Sequence, residues 1–161
     1  MKEPGLDVYE QLARCLDDLP GGFPRSENGV ELRILQRLFT PAEAGLACHL
    51  TLLSEDARVI AYRAGLPLAE AARLLESLDE KRLVMSFAEE GKPTRYMAQQ
   101  FLVGFWETQV DRLDRELVEL FEEYLPVYAA SGLWGQNPQL RTVPVRESIP
   151  NPSGALPYEQ V

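Results

Sequence analysis

The sequence predicts a mainly helical protein with one small β-hairpin. Apolar residues recur at helical spacing along most of the chain, as in the stripe within residues 6–19. At residues 83–87 the pattern changes to the alternation of a strand, and it resumes at 94–98 after the turn residues 90–93. Hydrophobic residues make up 45% and charged residues 25% of the 161 positions, which is typical of one globular domain.

Three helices are predicted before residue 54. The first covers residues 6–19 and the second covers 30–39. The third begins at residue 41, because Thr40 suits the N-cap and Glu43 stands where it can complete a capping box. We expect this helix to run to about residue 50.

The middle of the chain predicts a helix-turn-helix followed by a two-stranded wing. Ser54 precedes the first helix of this pair, and Gly65 and Pro67 end it. The helix-turn-helix covers about residues 54–82, its second helix begins at Leu68, and the wing covers residues 83–98. This order is the winged-helix layout, in which the second helix normally occupies the major groove of DNA.

A long acidic helix is predicted over residues 100–125, with a bend where Asp114 caps its second half. Its apolar stripe begins with Phe101, Phe105 and Trp106, which we assign to the core in preference to a dimer interface. Together these elements define a winged-helix domain with flanking helices over residues 1–131. Residues 132–161 are rich in proline and predict an extended arm or linker.

The charge of the chain argues against DNA recognition by this copy of the layout. The net charge is −9 and the sequence pI about 4.7, so a polyphosphate is repelled at long range. The alternative is a DNA-binding regulator of winged-helix type, in which cations gather on one face. Its contacts would be Arg73, Lys81, Arg82, Lys92 and Arg95.

No catalytic or metal-binding constellation is evident, and we expect no enzyme activity and no metal or cofactor site in this chain. Two cysteines and one histidine cannot supply the four ligands of an iron–sulfur cluster or a structural zinc ion. We expect Cys15 and Cys48 to be small buried hydrophobes, with a pairing of the two as the alternative that the sequence leaves open, and we expect His49 to have a structural role. The N-terminus lacks the apolar stretch of a signal peptide, and no segment is apolar enough to span a membrane, so we expect a cytoplasmic location.

Several short stretches resemble the N-terminal region of 4Fe-4S ferredoxin-type proteins of anaerobic bacteria and archaea. The likeness covers roughly residues 8–159, and it rests on the order and spacing of the stretches more than on any single stretch. They are Tyr9-Glu10-Gln11-Leu12-Ala13, Leu19-Pro20-Gly21-Gly22-Phe23-Pro24, Gly29-Val30-Glu31-Leu32-Arg33-Ile34-Leu35, Leu38-Phe39-Thr40-Pro41, Gly91-Lys92-Pro93-Thr94-Arg95-Tyr96, Glu122-Glu123-Tyr124 and Pro138-Gln139-Leu140-Arg141-Thr142-Val143-Pro144-Val145.

The resemblance implies a winged-helix-like portion that precedes a cysteine-rich part holding 4Fe-4S clusters. No CxxCxxC motif occurs in this sequence, so no cluster ligand is assigned to it, and we expect the chain to be a piece of a longer iron–sulfur protein. The parent would act in electron transfer or redox sensing. This module would serve protein interaction or regulation, with the iron–sulfur domain, another protein or a second copy as its partner.

Overall fold

The protein is mainly helical with a small antiparallel sheet, as the computed structural model shows for residues 7–136. Of the predicted arm, residues 137–161 lie outside the described range. The elements in chain order are α1 Val8–Asp17, α2 Val30–Leu38, α3 Pro41–Ala47, β1 Glu55–Asp56, α4 Ala57–Ala64, α5 Leu68–Glu80, β2 Val84–Phe87, β3 Arg95–Ala98, α6 Trp106–Thr108, α7 Arg115–Ala130 and α8 Leu133–Gln136.

The three helices predicted before residue 54 are confirmed, with tighter bounds. The capping box of α3 is also confirmed, since the Glu43 amide donates to Thr40 Oγ1 at 3.3 Å and the Thr40 amide donates to Glu43 Oε2 at 2.7 Å. The third helix ends at Ala47, three residues before the predicted end. Cys48 is therefore the C-terminal cap of α3 and does not lie inside the helix.

The sheet has three strands, one more than the sequence predicts. Glu55 and Asp56, which were assigned to the start of a helix, pair antiparallel with β3 opposite Tyr96 and Arg95. The strand order is β1-β3-β2, so β2 is an edge strand of the sheet. Asp56 also caps α4, because its side chain accepts from the backbone amides of residues 58 and 59.

The prediction of one long helix over residues 100–125 is wrong in its first half. Val103 has a left-handed backbone with φ +53°, which interrupts the helix. Glu107 replaces the missing helical hydrogen bonds by accepting from the amides of Val103 at 3.0 Å and Gly104 at 2.8 Å. Short turns over Phe101–Phe105, Trp106–Thr108 and Val110–Arg112 therefore lead into α7.

The second half of that prediction holds at its start and fails at its end. Asp114 caps α7 as expected, accepting from the Leu117 amide at 2.9 Å. The helix then continues through Pro126 to Ala130, five residues beyond the predicted end. Proline removes one amide donor and so weakens a helix locally, but the buried rings of Phe121, Tyr124 and Tyr128 hold this one against the core.

An aromatic cluster occupies the centre of the core and confirms that Phe101 and Phe105 are core residues. Both side chains are fully buried, and the Phe101 ring lies 5.3 Å from Phe23 and 5.2 Å from Tyr124 between ring centroids. Trp106 is half-buried and packs edge-on against Phe121 at 3.9 Å. None of the helices between residues 7 and 136 combines the length and the apolar character needed to cross a membrane.

Candidate interaction surface

The C-terminal end of α5 is fixed by side chains from the turns that follow the sheet. Gln109 Nε2 donates to the carbonyl of Lys81 at 3.0 Å, and Thr108 Oγ1 donates to the carbonyl of Arg82 at 2.7 Å. Arg112 donates to the carbonyl of Glu80. These three donors satisfy carbonyls that a helix end leaves unpaired, so they hold α5 in one position relative to the sheet.

Lys81, one of the five predicted nucleic-acid contacts, is bound within the chain. Its ammonium group lies 2.6 and 2.8 Å from the two carboxylate oxygens of Glu43, whose side chain is 3% exposed. Ser77 Oγ also donates to Glu43, at 2.7 Å. Burial raises the pKa of Glu43, but the hydrogen bonds from Lys81, Thr40 and Ser77 outweigh it and hold the pKa below its ordinary value.

Three more of the predicted contacts also bind oxygen atoms of this chain. Arg82 forms an ion pair with Asp111 at 2.9 Å, and Lys92 pairs with Glu89 at 2.5 Å within the hairpin turn. Arg95 donates to the carbonyl of Ser54. All three are exposed, so these contacts weaken but do not remove the charge that each presents to solvent.

Among the described residues, Arg73 is the predicted contact with no hydrogen bond or ion pair. It lies on the exposed face of α5, and Glu70 and Glu76 stand three residues before and after it. Residues three apart on a helix are neighbours, so two carboxylates reduce the net positive charge around Arg73. The structure thus places the five cations on α5, on the two residues that follow it and on the hairpin, and each lies beside a carboxylate or donates to a backbone carbonyl.

The outer face of the hairpin is apolar, which the sequence analysis missed. Met85 lies directly opposite Met97, and Phe87 lies opposite Arg95. Met85 is 40% and Phe87 is 41% exposed, while Val84 on the other face is buried. We call Met85, Phe87 and Met97 the hairpin patch. The sequence did contain a signal for this patch in Val84-Met85-Ser86-Phe87. Successive residues of a strand point to opposite faces, and this strand carries apolar residues on both faces.

Two exposed apolar side chains on α4 form a second apolar feature of the surface. Tyr62 is 91% exposed and Val59 is 44% exposed, and they are neighbours one helical turn apart. The arginines beside them, Arg58 and Arg63, pair with Asp56 at 2.9 Å and with Glu55. Those ion pairs lower the pKa of both carboxyl groups and neutralise the charge at the N-terminal end of α4.

A groove of about 410 Å³ between α2 and α7 is lined by charged side chains. Arg33 pairs with Glu123 at 2.6 Å, and Arg37 pairs with Asp114 and Glu116. A mainly apolar lining with a few converging polar groups is usual for a small-molecule site, and this groove lacks it. Within residues 7–136, no group of three or more histidine, cysteine or acidic side chains is placed to hold a metal ion.

Comparison of the chain with known protein families, curated proteins and solved structures gave no match.

Proposed function

We propose that this chain is a winged-helix module that binds another protein surface through the hairpin patch. The carrying observation is the exposure of Met85 and Phe87 beside Met97 on an edge of the sheet. Methionine and aromatic side chains are favoured in protein interfaces because they bury much area and adapt their shape. Within residues 7–136 the outer edge of β2 has no strand neighbour, so it offers backbone groups to the same partner.

The charge distribution supports a protein partner over DNA. Much of the affinity of a protein for DNA comes from cations that neutralise phosphates, and the salt dependence of binding comes from several of them acting together. Lys81 is committed to a buried carboxylate, and Arg73 stands between two acidic side chains. The module therefore offers a polyphosphate few unopposed positive charges.

The parent that we propose is a 4Fe-4S redox protein, on the basis of the resemblance described above. In this proposal the clusters belong to a cysteine-rich domain on the same polypeptide, and that domain is the partner of the hairpin patch. The chain itself holds no cluster and performs no catalysis. A second copy of the module is the other candidate partner.

The test uses photo-crosslinking in the natural protein that contains this sequence. Benzoylphenylalanine in place of Phe87 should crosslink on illumination to a peptide of a cysteine-rich domain, whereas the same group in place of Glu119 on α7 should not. A crosslink to the hairpin of a second copy would replace the intramolecular partner with a homodimer. Equal crosslinking from both positions, or from neither, would contradict the proposed surface.

A binding measurement separates the DNA-binding alternative. Fluorescence anisotropy with a mixed-sequence duplex at low salt should show no saturable binding. If the duplex binds and Arg73→Glu abolishes that binding, the module is a DNA-binding regulator and the protein-docking proposal is wrong. Closely spaced cysteines in the genomic reading frame beyond Val161 would support the redox parent, and their absence would contradict it.

A further inference from the structure

Two half-buried thiols meet where α1 packs against α3. Cys15 lies two residues before the end of α1, and Cys48 is the cap that ends α3. The Cys15 and Cys48 side chains share a hydrogen bond. Neither is fully buried, although the sequence predicted two buried hydrophobes.

Small residues of α3 lie where this helix packs against α1. Ala44 is fully buried, and a Cβ atom added to Gly45 would be in ordinary van der Waals contact, at 3.8 Å, with a methyl group of Val8 at the start of α1. A disulfide needs Cβ atoms about 3.8 Å apart and a sulfur–sulfur bond of about 2.05 Å. The hydrogen bond between the two thiols places their sulfur atoms near each other, so disulfide formation requires the sulfur atoms to close the remaining distance.

A small cavity is lined in part by Cys15. Its volume is about 20 Å³, and its lining includes Leu12, Leu50 and Gln99. The Oε1 atom of Gln99 is buried and has no hydrogen-bond partner among the described residues. The surroundings of Cys15 therefore contain both unfilled space and a polar atom without a hydrogen bond.

The hydrogen bond also favours the reactive form of Cys15. Donation from Cys48 lowers the pKa of Cys15 to about 7, against the opposing effects of burial and of Asp18. A thiol with that pKa is about half ionised at neutral pH, and the thiolate is the nucleophile in disulfide exchange.

We propose that Cys15 and Cys48 form a two-electron dithiol–disulfide centre that exchanges with low-molecular-weight disulfides. The Cys15 thiolate attacks one sulfur of the disulfide, which forms a mixed disulfide and releases one thiolate. Cys48 then loses its proton to solvent, and its thiolate attacks the Cys15 sulfur and releases the second thiolate. The two cysteines lose two electrons and two protons in total, and the small disulfide is reduced to two thiols. The product links α1 to α3.

The test treats the reduced protein with oxidised glutathione and measures intact mass after acid quenching and alkylation. The wild-type chain should lose two hydrogen atoms, gain no adduct and remain monomeric. Cys48→Ser should stop at a mixed disulfide with one glutathione on residue 15, and Cys15→Ser should react much more slowly. The disulfide should raise the melting temperature of the wild-type chain by several degrees, since a cross-link restricts the unfolded state.

A second measurement checks the assignment of Cys15 as the attacking group. Cys48→Ala removes the donor, so the iodoacetamide alkylation rate of Cys15 at pH 7 should fall by roughly tenfold. Circular dichroism confirms that each variant remains folded. Stable glutathione adducts on the wild-type chain, disulfide-linked dimers, no reaction with oxidised glutathione, or an unchanged alkylation rate in Cys48→Ala would each overturn the proposal.

Discussion

Replacement of Lys81 by methionine should destabilise the fold through the carboxylate that it leaves behind. Glu43 is almost completely buried, and its remaining donors would be the Thr40 amide and the Ser77 hydroxyl. Removing one partner of a buried ion pair typically costs 3–5 kcal/mol, and because Lys81 itself is 33% exposed we expect about 3 kcal/mol at pH 7. Lys92→Met is the matched control, since its ion pair with Glu89 is exposed and should cost at most about 0.5 kcal/mol.

The sign of the pH dependence follows from the pKa of Glu43. That pKa is below its ordinary value in the folded protein, so the ionised carboxylate contributes stability above its unfolded pKa, and the contribution is lost as the pH falls through the folded pKa. In Lys81→Met the unpaired carboxylate escapes its penalty by taking up a proton. Loss of the ammonium group raises the pKa of Glu43 in the variant above its wild-type value, so the free-energy difference between wild type and variant should shrink as the pH falls through the pKa that Glu43 has in the variant.

Urea unfolding at pH 3 to 8, followed by circular dichroism, measures this difference. The reasoning is refuted if Lys81→Met and Lys92→Met cost the same at pH 7, or if the cost of Lys81→Met does not change with pH. A parallel loss in Glu43→Gln should be smaller than in Lys81→Met, because it leaves a partly solvated ammonium group in place of a buried carboxylate.

Three further changes test the elements that frame the surface. Asp114→Ala removes the cap of α7 and should cost about 1 kcal/mol in urea unfolding, whereas Asp114→Asn should retain most of it. Gly65→Ala should cost about 1 kcal/mol because the residue has φ +67°, although no atom obstructs the new methyl group. Phe101→Ala should cost at least about 3 kcal/mol and expose the aromatic core to a hydrophobic dye, while Val103→Ala on the exposed turn beside it should leave the core closed.

Local signals in the sequence were sufficient where a few adjacent residues determine the structure. The capping box of Thr40 and Glu43 and the cap at Asp114 both formed as predicted, because each depends on a side chain that reaches a nearby amide. Elements that depend on distant partners were missed. The short strand at Glu55 and Asp56 exists through its pairing with β3, and no periodicity within two residues can indicate that.

The interrupted helix after Ala98 shows how tertiary contacts override an apolar period. Phe101 and Phe105 stand four residues apart, which predicts one helical face, and both are buried. Their rings reach the core from an irregular turn instead, since Glu107 supplies the amide acceptor that a helix would have supplied. The side chain of Gln100 also accepts from the amide of Gly21 at 2.6 Å, which ties this turn to the loop after α1.

The candidate surface was only half predictable, because the sequence gives the number of charges but not their partners. An excess of nine negative charges made a polyphosphate ligand implausible, yet it could not show that Lys81 belongs to Glu43, thirty-eight positions away along the chain. On the hairpin, the exposed Met85 and Phe87 lie along β2, which has β3 as its one strand neighbour among residues 7–136, and the cations Lys92 and Arg95 contact oxygen atoms of this chain. Because the pairing of Lys81 with Glu43 joins α5 to α3 and withdraws one cation from the surface, we propose that apolar contact contributes more to recognition than charge does.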